Sequence, residues 1–494
     1  MTRLGDLYRA PLALATDLYQ LTMAQAYVAS GKDRTEAAFH LFFRKNPFGG
    51  GFAVACGLNR VVDYLESFRF SPRDVEYLAQ LTGSDGRPIF TPAFLDVLGA
   101  LRLTCDVDAV PEGTVVFPYE PLVRVRGPML QAQVVETALL NAVSFETLIA
   151  TKAARIVLAA RGDAVVEFGL RRAQGMDGGL SASRAAFVGG CQGTSNLLAG
   201  RLLGLPVKGT HAHSWVMAFD SELEAFEAFA KAQPNNAVLL VDTYDSLEGV
   251  RHAAEVGQRM RERGQQLIGV RLDSGDLAWL STEARKILDA AGLQNVRIMA
   301  SNELDEHTIE SLKEQGARVD TWGVGTRLVT GGDQSALGGV YKLGAVREPG
   351  GAWQYRVKLS EQAAKISNPG VQQVRRFSGP QGFVADAIYD ELTGLPPEVV
   401  IVDPLDPTRR KRIAPGTPGE DLLVPVMRGG RPCYELPPLE DARRRLAGQL
   451  AALHDGIKRF VNPHQYPVGL SLQLSETKTR LILEARGLAG EEAR

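Results

Sequence analysis

Residues 267–288 read LIGVRLDSGDLAWLSTEARKIL. An apolar run ends in Arg271, Asp273 and Asp276, and an amphipathic segment follows at once. That succession is the mark of a strand buried on both faces in a βα unit, because helices cover each side of a parallel sheet. The same pattern recurs at AVVEFGLRR (164–172), PVKGTHAHS (206–214), AVLLVDTYD (237–245), VRIMASNEL (296–304) and TWGVGTRLVT (321–330). Such units predict a barrel or a doubly wound sheet. Each run carries its polar cluster (GLRR, THAHS, DTYD, RLDSGD, SNE, GVGT) at the carboxyl end of its strand. A barrel gathers loops from every strand at that rim, whereas a doubly wound sheet concentrates chemistry at one switch point, so a barrel is expected.

The flanks read differently. Residues 1–150 contain strand-like pieces, AAFHLFFR (37–44) and GTVVFPYEPLVRVRG (113–127), expected as antiparallel hairpins. Residues 346–494 add strand and turn signals and a charged helix, PPLEDARRRLAGQLAALHDGIKRFV (437–461). The expected division is therefore 1–150, 151–345 and 346–494, with the tail GLAGEEAR (487–494) frayed.

A chain of 494 residues exceeds one ordinary core. A formal net charge of −2 excludes a global attraction to nucleic acid or an anionic membrane, but leaves room for small anionic substrates in a local basic pocket. The four cysteines (Cys56, Cys105, Cys191, Cys433) are scattered without a CxxC pair, against a disulfide framework or a zinc knuckle. No run is read as approaching the ~20 apolar residues of a membrane span, and the opening MTRLGDLYRAPLALATDLYQ lacks a long apolar core. A cytoplasmic protein is expected.

The strand ends carry the candidate chemistry. In GVGT, Gly323 and Gly325 let a backbone approach an anion and Thr326 offers a hydroxyl; the other reading is a tight turn. Asp273 in RLDSGD can hold Mg2+ or ribose hydroxyls, Arg271 can pair with an anion, and Asp276 reads as a helix N-cap. Arg171 and Arg172 should diverge, so one of them faces the site. His211 and His213 share a face if the strand still runs there, with Thr210 on the other. They read as a metal pair, as a hydrogen-bonded structural pair, or as one reactive histidine with a neighbour. The metal reading needs a further histidine at a later strand end, and His252, His307, His454 and His464 do not lie at one.

Taken in order, the motifs resemble the nicotinate phosphoribosyltransferase family. They are LATDLYQLTMAQAY (14–27), the stretch from EFGLRR to GTHAHSWVMAF (167–219), GVRLDSGDL (269–277), ASNELDE (300–306), WGVGTRLVT (322–330), VKLSEQAAKISNPG (357–370) and NPHQYPVGLS (462–471). The resemblance implies a type II phosphoribosyltransferase fold: an irregular α/β barrel with an α/β sandwich built from both terminal regions. It implies a homodimer with shared active sites. The implied reaction forms nicotinate mononucleotide and diphosphate from nicotinate and 5-phosphoribosyl 1-diphosphate in NAD salvage, coupled to ATP hydrolysis through a phosphohistidine at His213. His211 receives no role. Tyr19, reaching in from the partner subunit, and Phe168 would sandwich the pyridine ring; Thr210 and Arg271 would contact its carboxylate. Arg171 would meet phosphoribosyl oxygens, Asp273 the ribose or Mg2+, and Ser301, Asn302, Gly323, Gly325 and Thr326 the 5-phosphate. Some relatives carry a cysteine-rich zinc site near the C-terminus; only Cys433 lies there, so no zinc is expected. Two alternatives are a nicotinamide enzyme of the same fold and a metal-dependent hydrolase using the His-x-His pair. The first should carry an acid in the helix before the histidines, where this sequence offers Asn196.

Overall fold

Five of the six central runs form short parallel strands in the computed structural model: Ala164–Glu167, Val238–Leu240, Gly269–Leu272, Arg297–Asn302 and Thr321–Val324. Their spatial order is 164–167, 321–324, 297–302, 269–272, 238–240, so the first strand in the chain pairs with the last. Single parallel bridges from Glu167 to Thr194 and from Thr194 to Val207 carry the sheet further round. A parallel sheet whose first strand pairs with its last is wound as a barrel, here with one gap between Val207 and strand Val238–Leu240. Asp245, Asp276 and Asp305 each cap the helix that follows a strand, accepting backbone N–H bonds from Glu248, from Ala278 and Trp279, and from Thr308. Asp276 is therefore a cap.

The run 206–214 is not a strand. Only Val207 bridges, and His213–Val216 already begins a helical turn. The reason is local: after Val207 the chain reads Lys-Gly-Thr, with nothing apolar to bury.

The structure describes residues 11–488; of the tail expected to fray, residues 489–494 lie outside them. One compact unit is continuous, Leu148–Ser335, and the other combines the flanks, up to Thr147 and from Ala336. The segment 336–345, expected with the central region, belongs to the flanking unit because strand Gly339–Arg347 pairs antiparallel with Glu36–Phe43. That pair lies in a seven-stranded sheet mixing both flanks, where Val424–Arg428 also pairs with Asp106–Ala109. A six-stranded sheet comes from the C-terminal flank alone. Residues 113–127 do not form the expected hairpin. Val115–Val116 pairs with Ala53–Val54 and Val123–Pro128 joins the larger sheet, with Pro118 and Pro121 between them unable to donate to a ladder.

One helical stretch, Met129–Ala159, is long and apolar enough to span a membrane by length and composition, contrary to the expectation. More than half of its most apolar window (56%) is buried inside the protein, which accounts for that apolarity as a core helix.

Within the flanking unit a buried arginine anchors the C-terminal six-stranded sheet. Arg376 is fully buried; its Nε donates to both oxygens of Asp386 at 3.0 Å and one terminal nitrogen donates to Gln449 at 2.8 Å. Its guanidinium also lies 5.5 Å from the Phe117 ring and 4.7 Å from the Phe383 ring. Tyr466 donates to the same aspartate at 2.9 Å. Replacing Arg376 by Met strands a buried carboxylate. The expected cost is about 3–5 kcal/mol in urea unfolding; an unchanged midpoint would show that the pair does not hold this sheet.

Candidate active site

The carboxyl ends of the barrel strands surround a cavity of about 910 Å³ lined by Phe168, Arg171, Thr210, His213, Arg271 and Asp273 among others. Arg271, near the end of strand Gly269–Leu272, has a fixed partner for each nitrogen. Nε donates to Ser301 Oγ at 2.8 Å, one terminal nitrogen to Thr210 Oγ1 at 3.3 Å, and the other to Asp273 Oδ1 at 2.7 Å. Its guanidinium carbon lies 5.6 Å from the Phe168 ring centre. A guanidinium so held is a preorganised receptor for a flat anion.

Phe168 owes its place to two neighbours. Its backbone N–H donates to Val324 O at 2.8 Å. Its ring occupies the space that a side chain at Gly323 would take, since a Cβ there would lie 2.7 Å from the ring edge. Below it, buried Glu167 accepts from the Gly169 backbone N–H, from Ser183 Oγ at 2.8 Å and from Thr194 Oγ1, anchoring the turn that carries Arg171.

Burial works to raise the Asp273 carboxyl, but the Ser301 hydrogen bond and the Arg271 charge outweigh it and hold the carboxyl below the usual range. The Asp273 backbone N–H donates to Asp242 Oδ2 at 2.8 Å, so two strand ends are joined at this point.

The two histidines do not share a face. His213 is half-exposed, with Nδ1 3.2 Å from Thr243 Oγ1 and Nε2 4.0 Å from Asp273 Oδ2. His211 is buried beside Phe226 and Phe229, and both ring nitrogens are engaged by backbone. The pair therefore cannot converge on one metal ion, because the chain turns into a helix between them.

The residues expected at the 5-phosphate are engaged with their neighbours. Ser301 is buried and serves Arg271 and Asp273 with its hydroxyl. Gly323 makes room for Phe168, and Gly325 packs against the Phe168 carbonyl. Thr326 donates to Glu303 at 3.0 Å, and Asn302 is exposed with φ of +131°, a region that disfavours side chains. None of these lines the cavity just described. Arg171 lines it and Arg172 does not. Asn196 is buried as the cap of helix Leu197–Leu203, whereas its neighbour Ser195 faces the cavity. Both residues are neutral. Tyr19 is exposed near the start of helix Leu18–Ala29 in the flanking unit.

Sequence reasoning missed Lys208 and Ser195 as lining residues. Both stood beside quoted motifs; no local signal distinguishes a cavity-facing Ser195 from the capping Asn196.

The oxygens near Asp273 suit Mg2+. Asp242 Oδ1 is buried without a hydrogen-bond partner, and carboxylate oxygens are the donors this ion prefers. A buried trio of ligand type, Cys56, Glu112 and Glu146, lies in the flanking unit; Glu112 accepts from the Gly57 N–H and Glu146 pairs with Arg60, which explains both carboxylates.

A barrel encoded between two halves of a sandwich, with an anion-receptor arginine on its rim, is a type II phosphoribosyltransferase fold. The structure is similar to the crystal structure of human nicotinic acid phosphoribosyltransferase, with TM-score 0.82 and 35% identity over 94% of this chain and 99% of that one. The nicotinate-nucleotide pyrophosphorylase of Pyrococcus furiosus shares the fold, with TM-score 0.69 and 24% identity over 91% and 98%. Family profiles described as the nicotinate phosphoribosyltransferase N-terminal domain, family and C-terminal domain match residues 14–144, 164–348 and 372–478. The nicotinate phosphoribosyltransferase of Bacillus subtilis is 40% identical over 490 residues, covering 97% of each chain. The human protein of that name is 37% identical, covering 93% of this chain and 95% of its own. The chain belongs to the nicotinate phosphoribosyltransferase family.

Ser301→Ala removes a hydrogen bond that favours ionised Asp273. The Asp273 carboxyl should then titrate at higher pH, as followed by carboxyl-carbon NMR, with the charged form lost earlier as pH falls. An unmoved titration would assign the depression to Arg271 alone.

Proposed function

We propose that this chain is a nicotinate phosphoribosyltransferase, joining nicotinate to 5-phosphoribosyl 1-diphosphate to give nicotinate mononucleotide and diphosphate in NAD salvage. The observation that carries it is Arg271 held between Thr210 and the Phe168 ring in one cavity, an arrangement that meets both features of an aromatic carboxylate. Ser195, neutral at the cavity wall, favours the acid over the amide, since a carboxylate would be repelled by an acid there.

The pyridine nitrogen forms its bond to ribose C1 as the C1–O bond to diphosphate breaks, and the electron pair leaves with diphosphate. Asp273 faces the positive charge that develops on the ribose. Asp273 and Asp242 would hold Mg2+, which when bound neutralises the departing diphosphate. Arg171 receives the phosphoribosyl oxygens. Tyr19 of a second copy would cover the ring, and the exposed Leu197, Leu198, Leu202 and Val207 supply an apolar surface for a homodimer. ATP would phosphorylate His213 at Nε2, the nitrogen left open by the Thr243 contact, adding roughly two negative charges beside Asp273. We place the enzyme in the cytoplasm.

Incubation with nicotinate or nicotinamide, 5-phosphoribosyl 1-diphosphate and Mg2+ should yield the nicotinate product, and γ-labelled ATP should give an acid-labile label absent from His213→Ala. Product from nicotinamide alone would reverse the base assignment. A label that survives the substitution would remove the phosphohistidine. Gly323→Ala should push the Phe168 ring aside and raise KM for nicotinate about tenfold, the scale of one lost stacking contact; an unchanged KM would take Phe168 out of substrate binding.

A further inference from the structure

The barrel has an open seam. Beyond Val207 on one side and strand Val238–Leu240 on the other, no strand pair among the described residues closes the circle. Along a parallel strand, alternate N–H groups point to opposite neighbours. The Val241 N–H donates to Arg271 O on strand Gly269–Leu272, so the Leu240 N–H points across the seam. Its acceptor is His211 Nε2, at 3.1 Å.

The other ring nitrogen is also used. Nδ1 lies 3.3 Å from Ala212 O, and since a carbonyl only accepts, Nδ1 carries the proton. The ring is thus neutral and bonded at both ends, edge-on to Phe229 with ring centres 4.7 Å apart. Burial, aided by the nearby Arg271 and His213 and opposed by the Ala212 bond, keeps its pKa below the ordinary value, so Nε2 stays an acceptor.

We propose that His211 is a positioning residue: its imidazole stands in for a missing strand along the edge of Val238–Leu240 and so fixes the segment that holds Thr210 against Arg271, the receptor for the nicotinate carboxylate. Its own carbonyl accepts the Thr210 hydroxyl proton at 3.1 Å, which leaves the Thr210 oxygen lone pairs facing Arg271. The backbone of His211 therefore aims Thr210, and the ring anchors that backbone. The functional half of this inference rests on the reading of Arg271 as the carboxylate contact.

Two polar substitutions separate the ring's bonds. The Gln side-chain oxygen can take the place of Nε2, whereas Asn is too short to reach Leu240. His211→Gln should keep KM for nicotinate within about threefold. His211→Asn should raise it about tenfold with little change in kcat, the equivalent of one buried N–H left unpaired. Hydrogen exchange of the Leu240 amide should accelerate about tenfold in the Asn variant only. Equal damage in both variants, or slow Leu240 exchange retained in the Asn variant, would overturn the proposal. Because exchange is read without substrate, fast exchange with an unchanged KM would keep the seam and overturn only the link to nicotinate.

Discussion

The barrel's chemistry depends on the immobilisation of one guanidinium. Arg271 is bonded to residues from two other parts of the barrel, Thr210 and Ser301, and to Asp273 of its own loop. A free arginine would lose about 2 kcal/mol of rotamer entropy on gripping a ligand. Here folding has already met that cost. The Asp273 contact also tempers the charge, so the receptor is directional rather than merely electropositive.

That arrangement explains why the strands are so short. A few buried residues fix each strand's direction, and in two of them the next residue is already part of the cavity wall: Phe168 after Glu167, Asp273 after Leu272. The capping aspartates then turn the chain into helices without a long loop. Precision at the rim follows from short connections between rigid elements.

Much of this was legible in the residues. Continuous apolar runs exposed five strands because a strand buried on both faces has no polar alternation to disguise it. The sixth run misleads past Val207, where Lys-Gly-Thr ends the apolar pattern; that the Leu240 N–H across the gap is met by a side chain, His211, no local pattern announces. The same limit governs Ser301 and Gly323. Serine and glycine at strand ends read as parts of an anion cradle, and their neighbours across the sheet, Arg271 and Phe168, are visible only in the fold. Of the residues that the family resemblance named, Thr210, Arg271, Asp273, Phe168, Arg171 and His213 line one cavity.

The flanking sheet has a consequence for how the chain is made. Strand Glu36–Phe43 finds one partner early, in Val123–Pro128, but the other, Gly339–Arg347, is separated from it by the whole barrel. At roughly 5–20 residues per second, ribosomal synthesis leaves that edge bare for about 10–40 s. For that interval the nascent chain presents an unpaired row of amides on a strand reading Ala-Ala-Phe-His-Leu-Phe-Phe, a template for pairing with another chain. Expression yield should therefore answer to translation speed and chaperone supply more than to the stability of the finished enzyme.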